Sequence, residues 1–228
     1  MVAAVGAGGK TTTLGRLAAE ARARSWSVIL TTTTHMGPRA GVGPVLIEAS
    51  GPDDHRLREA LAEAGAATLF GRRIREDKLQ GVSSERVAAL SGMADLVLVE
   101  ADGARGRSLK LPGNHEPVLP PNADRVVVLV GLDAVGAALD ERLVHRVELV
   151  RGALPGVERL GARDVAAVLS SPAGYLSRAG PSRLALFLNK AETPERWRDA
   201  EEIAEILAPA YGRIVAGSAR SGAVRVLK

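Results

Sequence analysis

Chemistry is concentrated at one short stretch near the start of the chain, Val5-Gly6-Ala7-Gly8-Gly9-Lys10-Thr11-Thr12-Thr13. Glycines let backbone N–H groups close around phosphate oxygens, and a helix opening there adds partial positive charge. Lys10 would neutralise β- and γ-phosphate charge, and the Thr11 hydroxyl would ligate Mg²⁺. Gly6, Ala7, Gly8, Gly9, Lys10, Thr11 and Thr12 are therefore the expected phosphate contacts. The pattern is a variant, because the first glycine of the usual G-x-x-x-x-G-K-T spacing falls on Ala4.

A second group follows an apolar run: Leu96-Val97-Leu98-Val99-Glu100-Ala101-Asp102-Gly103. A carboxylate at the carboxyl end of a buried strand can reach a metal held beside a phosphate loop. Glu100 or Asp102 fills that role, and the other orients water or substrate. Arg105 and Arg107 come next, where a guanidinium would steady transferring-phosphate charge or hold an anionic substrate. A solvated basic loop is the other reading of the same pair, and His115-Glu116 is divided between substrate and surface in the same way.

A third group, Leu188-Asn189-Lys190-Ala191-Glu192, resembles the N-K-x-D element whose carboxylate accepts from guanine. Glu192 stands where that element has Asp. Gly217-Ser218-Ala219-Arg220 resembles the matching S-A-K loop, so Asn189, Lys190, Glu192, Ser218 and Ala219 are candidate base contacts. The same residues also suit a strand end followed by a Thr193-capped helix with Pro194 at its first position. The run Thr31-Thr32-Thr33-Thr34-His35-Met36 offers hydroxyls to a phosphate, or is simply a β-branched strand end.

These groups need a scaffold that delivers them to one edge. Apolar, non-alternating runs predict buried strands at 2–5, 28–32, 44–48, 96–100, 125–130, 184–188 and 213–216. Helices are expected at 11–24, 54–64, 84–91, 162–169 and 194–207. Strands alternating with helices imply an α/β fold, a three-layer arrangement with a mostly parallel central sheet. Residues 69–82 and the proline-rich 104–123 stretch resist assignment, and the latter reads as a long ordered loop. At 228 residues the chain is expected to form a single domain.

Composition narrows the classes. The hydrophobic share of 46% and charged share of 25% exclude wholesale disorder. No apolar run is long enough for a membrane span and no leader pattern opens the sequence, so a cytoplasmic protein without a membrane partner is expected. The absence of cysteine removes disulfides, thiolate metal sites and cysteine nucleophiles. Net charge of +4 and a pI near 9.8 suit an anionic ligand. The five lysines are Lys10, Lys78, Lys110, Lys190 and Lys228, so most of the 30 basic residues are arginines, scattered along the chain. With aromatics at only 3%, stacking platforms are too few for a dedicated nucleic-acid binder.

Taken in order, VGAGGKTTT, TTTTHM, EADGARGRSLKLPGNHEPVLP and LNKAE resemble the YqeC family, described as accessory proteins of selenium-dependent hydroxylases. The resemblance covers most of the chain, and residues 100–120 are its most specific part. It implies a P-loop NTPase fold of the branch that includes dethiobiotin synthetase and the MinD-like ATPases. It also implies a cofactor pair of Mg²⁺ and GTP or ATP, and partners among molybdenum hydroxylases or their maturation factors. Two functions fit: a nucleotide hydrolase or phosphotransferase, and a nucleotide-gated switch that delivers a cofactor intermediate to a client hydroxylase.

Overall fold

The computed structural model describes residues 1–37, 41–180 and 183–228. The chain forms two compact units that interleave in sequence. The first comprises Met1–Ala4, Thr11–Gly103 and Val118–Asp124, and the second Val5–Lys10, Ala104–Pro117 and Arg125–Lys228.

In the first part of the chain the elements are β1 (Val2–Gly6), α1 (Lys10–Arg22), β2 (Val28–Thr32), β3 (His35–Met36), β4 (Val45–Ile47), α2 (Asp54–Ala64), β5 (Ala66–Phe70), β6 (Arg72–Arg75), β7 (Lys78–Gln80), α3 (Ser84–Ala89) and β8 (Leu96–Glu100). The first unit carries strands in the order β4-β5-β2-β8-β1, every neighbouring pair parallel. All five residues of β2 and of β5 are buried, as a strand covered on both faces requires. Register sets Ala4 opposite Glu100 and Thr32 opposite Glu100, so three strand ends finish level at that carboxylate.

Local chemistry fixes the helices. Asp53 caps α2 by accepting from the Arg56 N–H at 3.0 Å, and Gly65 closes it in the left-handed conformation at φ 64. The cap of α3 is Ser83, one residue before the expected start. Arg86 of this helix forks onto Glu48 at 2.9 and 2.6 Å and reaches Asp54 at 2.7 Å. The unassigned stretch 69–82 contains the end of β5 and then a hairpin, with β6, β7 and β3 forming a small antiparallel sheet. Its β6 residues are all exposed, so no apolar alternation announced it.

The remaining elements are β9 (Leu109–Lys110), β10 (Arg125–Gly131), a 3-10 turn (Leu132–Ala134), β11 (Val144–His145), α4 (Val147–Ala153), α5 (Ala162–Ser170), α6 (Leu176–Ala179), β12 (Leu184–Asn189), α7 (Pro194–Leu207), β13 (Arg213–Gly217) and β14 (Val224–Val226). The second unit orders them β10-β12-β13-β14. The first three are parallel and β14 is antiparallel. That last strand departs from the expected all-parallel pattern, and its three residues are exposed at the sheet edge, where burial leaves no apolar signature. Thr193 caps α7 and Pro194 occupies its first turn, while Ala200, Ile203, Ala204 and Leu207 bury one stripe beside α5. The 104–117 stretch is mostly irregular, with β9 paired to β11.

Candidate functional site

The glycine loop lies in the second unit up to Lys10. Gly6, Gly8 and Gly9 adopt φ values of 88, 84 and 109, a region that side chains disfavour. Space is the second constraint: a Cβ on Gly8 would sit 2.1 Å from the Gly131 nitrogen. The loop is held from several sides. Ala7 N–H donates to the Leu129 carbonyl at 2.9 Å, Gly8 N–H to the Arg107 carbonyl at 2.7 Å, and Lys10 Nζ to the Gly6 carbonyl at 2.6 Å. Lys10 is only 4% exposed and opens α1. A curled lysine above left-handed glycines at a helix start is the chemistry of an anion cradle.

In the first unit, Thr11 Oγ1 donates to Glu100 Oε2 at 2.8 Å. Thr32 Oγ1 donates to the Glu100 carbonyl at 2.7 Å, which pins the residue's backbone as well. Glu100 and Asp102 are both buried. A hydroxyl and a carboxylate oxygen already in contact are hard oxygen donors of the kind Mg²⁺ takes alongside phosphate and water. The residues therefore fit that ion, with Glu100 the carboxylate that meets Thr11. The other threonines are committed to the backbone: Thr31 Oγ1 donates to the Leu69 carbonyl and Thr33 Oγ1 to the Val118 carbonyl, each at 2.8 Å. The strand-end reading of that run is the one these bonds favour.

The candidate base contacts gather in the second unit. Asn189 Nδ2 donates to the Gly8 carbonyl at 2.7 Å, and its Oδ1 accepts from the Ala219 N–H at 2.9 Å. Ser218 Oγ donates to Glu192 Oε1 at 2.9 Å. The two alternatives for this segment hold together, since Thr193 also caps α7, accepting from the Arg196 N–H at 3.4 Å. Lys190 is held in the left-handed region at φ 66. Its Nζ is bound to Asp133 Oδ2 at 2.7 Å and to Ser108 Oγ at 2.8 Å.

Ser108 and Asp133 are thus site neighbours that sequence reasoning missed. Asp133 had a readable signal, a carboxylate just after the apolar strand VVVLVG, the same signal that marked Glu100. Ser108 had none. Its carbonyl accepts from Gly131 N–H at 2.8 Å, so the loop and β10 meet at this residue. Arg105 is exposed, with φ 48.

With this geometry described, similarity to known proteins can be stated. The YqeC protein family matches residues 2–148. The chain belongs to that family. It is 35% identical over 149 residues to the uncharacterised YqeC protein of Escherichia coli (strain K12), covering 64% of this chain and 57% of that relative. This YqeC-family chain thus spans little more than half of that relative's length. Among solved structures, the GDP complex of the signal recognition particle 54 kDa protein from Aeropyrum pernix K1 is similar at a TM-score of 0.45 and 18% identity, covering 99% of this chain and 43% of that one. Chloroplast FtsY from Physcomitrella patens aligns at 0.49 and 16%, over 93% and 57%. The MinC:MinD complex of Aquifex aeolicus aligns at 0.45 and 14%, over 94% and 80%. The strand, glycine loop and helix at residues 2–22, with a mostly parallel sheet, are a P-loop NTPase arrangement. Among the described residues no helix is long and apolar enough to cross a membrane.

Proposed function

We propose that this YqeC-family protein binds a nucleoside triphosphate with Mg²⁺ and hydrolyses it or transfers its phosphoryl group in the maturation of selenium-dependent molybdenum hydroxylases. The observation that carries the nucleotide reading is the loop of three left-handed glycines closed by buried Lys10, followed directly by a Thr11 hydroxyl set on Glu100. Backbone N–H groups and Lys10 would hold phosphate. Thr11, Glu100 and, behind them, Asp102 would hold the metal, which supplies charge neutralisation at the phosphates. Arg105 would meet charge on the transferring group. Asn189, Lys190 and Glu192 with Ser218 and Ala219 would frame the base, and the Glu192 carboxylate favours GTP, because guanine presents paired donors. The maturation role rests on the family resemblance. Without cysteine, any handling of selenium by this chain uses a group other than a thiolate.

A second reading, a nucleotide-gated switch for a client hydroxylase, is favoured by one particular bond. Gly8 N–H, a phosphate donor in the proposed site, is engaged by the Arg107 carbonyl of the 104–117 segment. A nucleotide that claims Gly8 N–H would release Arg107 and move that segment. Competition of GTP, ATP and CTP against a fluorescent nucleotide, with and without Mg²⁺, tests the proposal. Saturable, Mg²⁺-dependent displacement with GTP strongest is expected. Failure of every nucleotide to bind would refute it, and equal displacement by GTP and ATP would remove Glu192 as a guanine reader. Hydrolysis that is negligible alone and rises with the client protein would select the switch.

A further inference from the structure

Within the second unit, the segment tied to Gly8 through Arg107 also carries a concentration of positive charge. Lys110 has a side chain wholly removed from solvent and donates to Glu116 Oε2 at 2.9 Å. Arg146 reaches Glu116 Oε1 at 3.1 Å, and the Gly113 N–H donates to Oε2 at 3.1 Å. Arg178 comes from α6 and donates to the carbonyls of Gly113 and Glu116. Three cations therefore converge on one carboxylate. Glu116 is held below the ordinary carboxylate range: burial pushes it up, but the Lys110 and Gly113 bonds and the nearby cations outweigh that.

A cation withdrawn from water is costly unless a counter-charge meets it. Lys110 and Glu116 cancel, which leaves Arg146 and Arg178 in excess. The Arg146 Nε is buried and has no hydrogen-bond partner. Its backbone is strained as well, at φ 56 and ψ 55 immediately before α4. Arg105, in the same left-handed region at φ 48, adds its field at His145. Non-glycine residues kept in that conformation cost energy and tend to gather where ligands bind. His145 is kept uncharged by burial first, then by Lys110, Arg146 and Arg105, so it offers a hydrogen bond without adding charge.

We propose that Arg146, Arg105, Lys110 and His145 form a second anion site, separate from the glycine loop, that takes a phosphate-type dianion. The two excess positive charges match the two negative charges of a phosphate monoester or inorganic phosphate. The unpartnered Nε of Arg146 supplies a directed donor, since a guanidinium binds oxyanions in a fork. The site deepens the proposed function by naming the acceptor's class as an anion of this charge, though the binding site itself stands without that reading. Arg107 and Ser108 lie in the same segment and touch Gly8 and Lys190, so occupancy of this site and of the nucleotide loop is coupled.

The test is calorimetric titration of the full chain with inorganic phosphate, in wild type, Lys10→Ala, Arg146→Gln and Arg105→Gln. Phosphate binding is expected to persist in Lys10→Ala and to weaken by about tenfold or more in both arginine variants. Arg105 is exposed, so Arg105→Gln gives an answer even if Arg146→Gln fails to fold. Loss of binding in Lys10→Ala with both arginine variants unchanged would place the anion in the glycine loop and overturn the proposal. So would the absence of phosphate binding at millimolar concentration. Arginine-dependent phosphate binding in a protein that binds no nucleotide would sustain the anion site while refuting the nucleotide reading.

Discussion

Asn189 joins two loops through opposite ends of one amide: its Nδ2 donates to the Gly8 carbonyl at 2.7 Å while its Oδ1 accepts from the Ala219 N–H at 2.9 Å. Gly8 and Asn189 are 181 residues apart, so this side chain sets the glycine loop against the segment proposed to read the base. Asn189 is only 4% exposed, and removing it strands a buried donor and a buried acceptor. Each such group costs about 1–3 kcal/mol. Asn189→Ala is expected to lower the thermal midpoint and weaken nucleotide binding together. Asn189→Asp keeps the acceptor and loses the donor, so it should fall between the two. Equal melting of all three proteins would show that the amide fixes nothing.

Two glycines should respond in opposite directions. Gly8→Ala places a methyl 2.1 Å from the Gly131 nitrogen at a φ of 84, so the loop must distort and nucleotide binding should be lost. Gly15 lies inside α1 with nothing within 4 Å of an added Cβ. Gly15→Ala should therefore stabilise the protein by about 0.5–1 kcal/mol. Denaturant melts of the two variants check both signs.

Much of this architecture could be read from the residues, and the reasons differ by element. Helices α2 and α7 have the expected bounds because capping residues, Asp53 and Thr193, and stops after apolar stripes are local chemistry. Strands β2 and β8 were legible because both faces are buried and their runs are purely apolar or threonine. Helix α4 was not, since two buried valines at Val147 and Val150 are too short a stripe. The position of Glu100 at a strand end was readable, but its meeting with Thr11 depends on register between distant strands. Lys190 illustrates the limit most plainly. Its motif suggested a base contact, whereas its ammonium binds Asp133 and Ser108, partners that only the folded chain supplies.

Acid should loosen the 104–117 segment in a defined window. His145 is depressed below its ordinary value by burial and by neighbouring cations. The unfolded chain therefore takes up a proton below about pH 6.5 that the folded chain refuses, and stability falls as pH drops through that range. Glu116 is also depressed, so its contribution is present above its ordinary value and fades as pH falls through the lower, folded one. Thermal midpoints should be level from neutral to mildly alkaline pH and decline below about 6.5. His145→Gln should flatten the first part of that decline. An identical slope in the variant would clear His145 of the effect.

Lys10→Ala removes a buried ammonium that closes onto the Gly6 carbonyl at 2.6 Å. Phosphoryl transfer depends on electrostatic stabilisation and positioning, and one such group commonly accounts for about 3–4 kcal/mol, a factor of about 10² to 10³ in turnover. Hydrolysis by the variant should fall by that factor, while far-ultraviolet circular dichroism stays that of wild type. A correctly folded variant with undiminished turnover would remove Lys10 from the catalytic set.

The central claim is that the loop from Gly6 to Thr11 is where nucleotide lands. Backbone amide resonances of the labelled protein, followed through a titration with Mg²⁺ and a non-hydrolysable GTP analogue, report on that loop atom by atom. The account predicts that Gly8, Gly9, Lys10 and Thr11 show the largest saturable shifts, with Arg107 and Ser108 responding as Gly8 N–H changes partner. Saturable binding whose shifts leave Gly8 to Thr11 unmoved, or no shift at all at millimolar nucleotide, would contradict it.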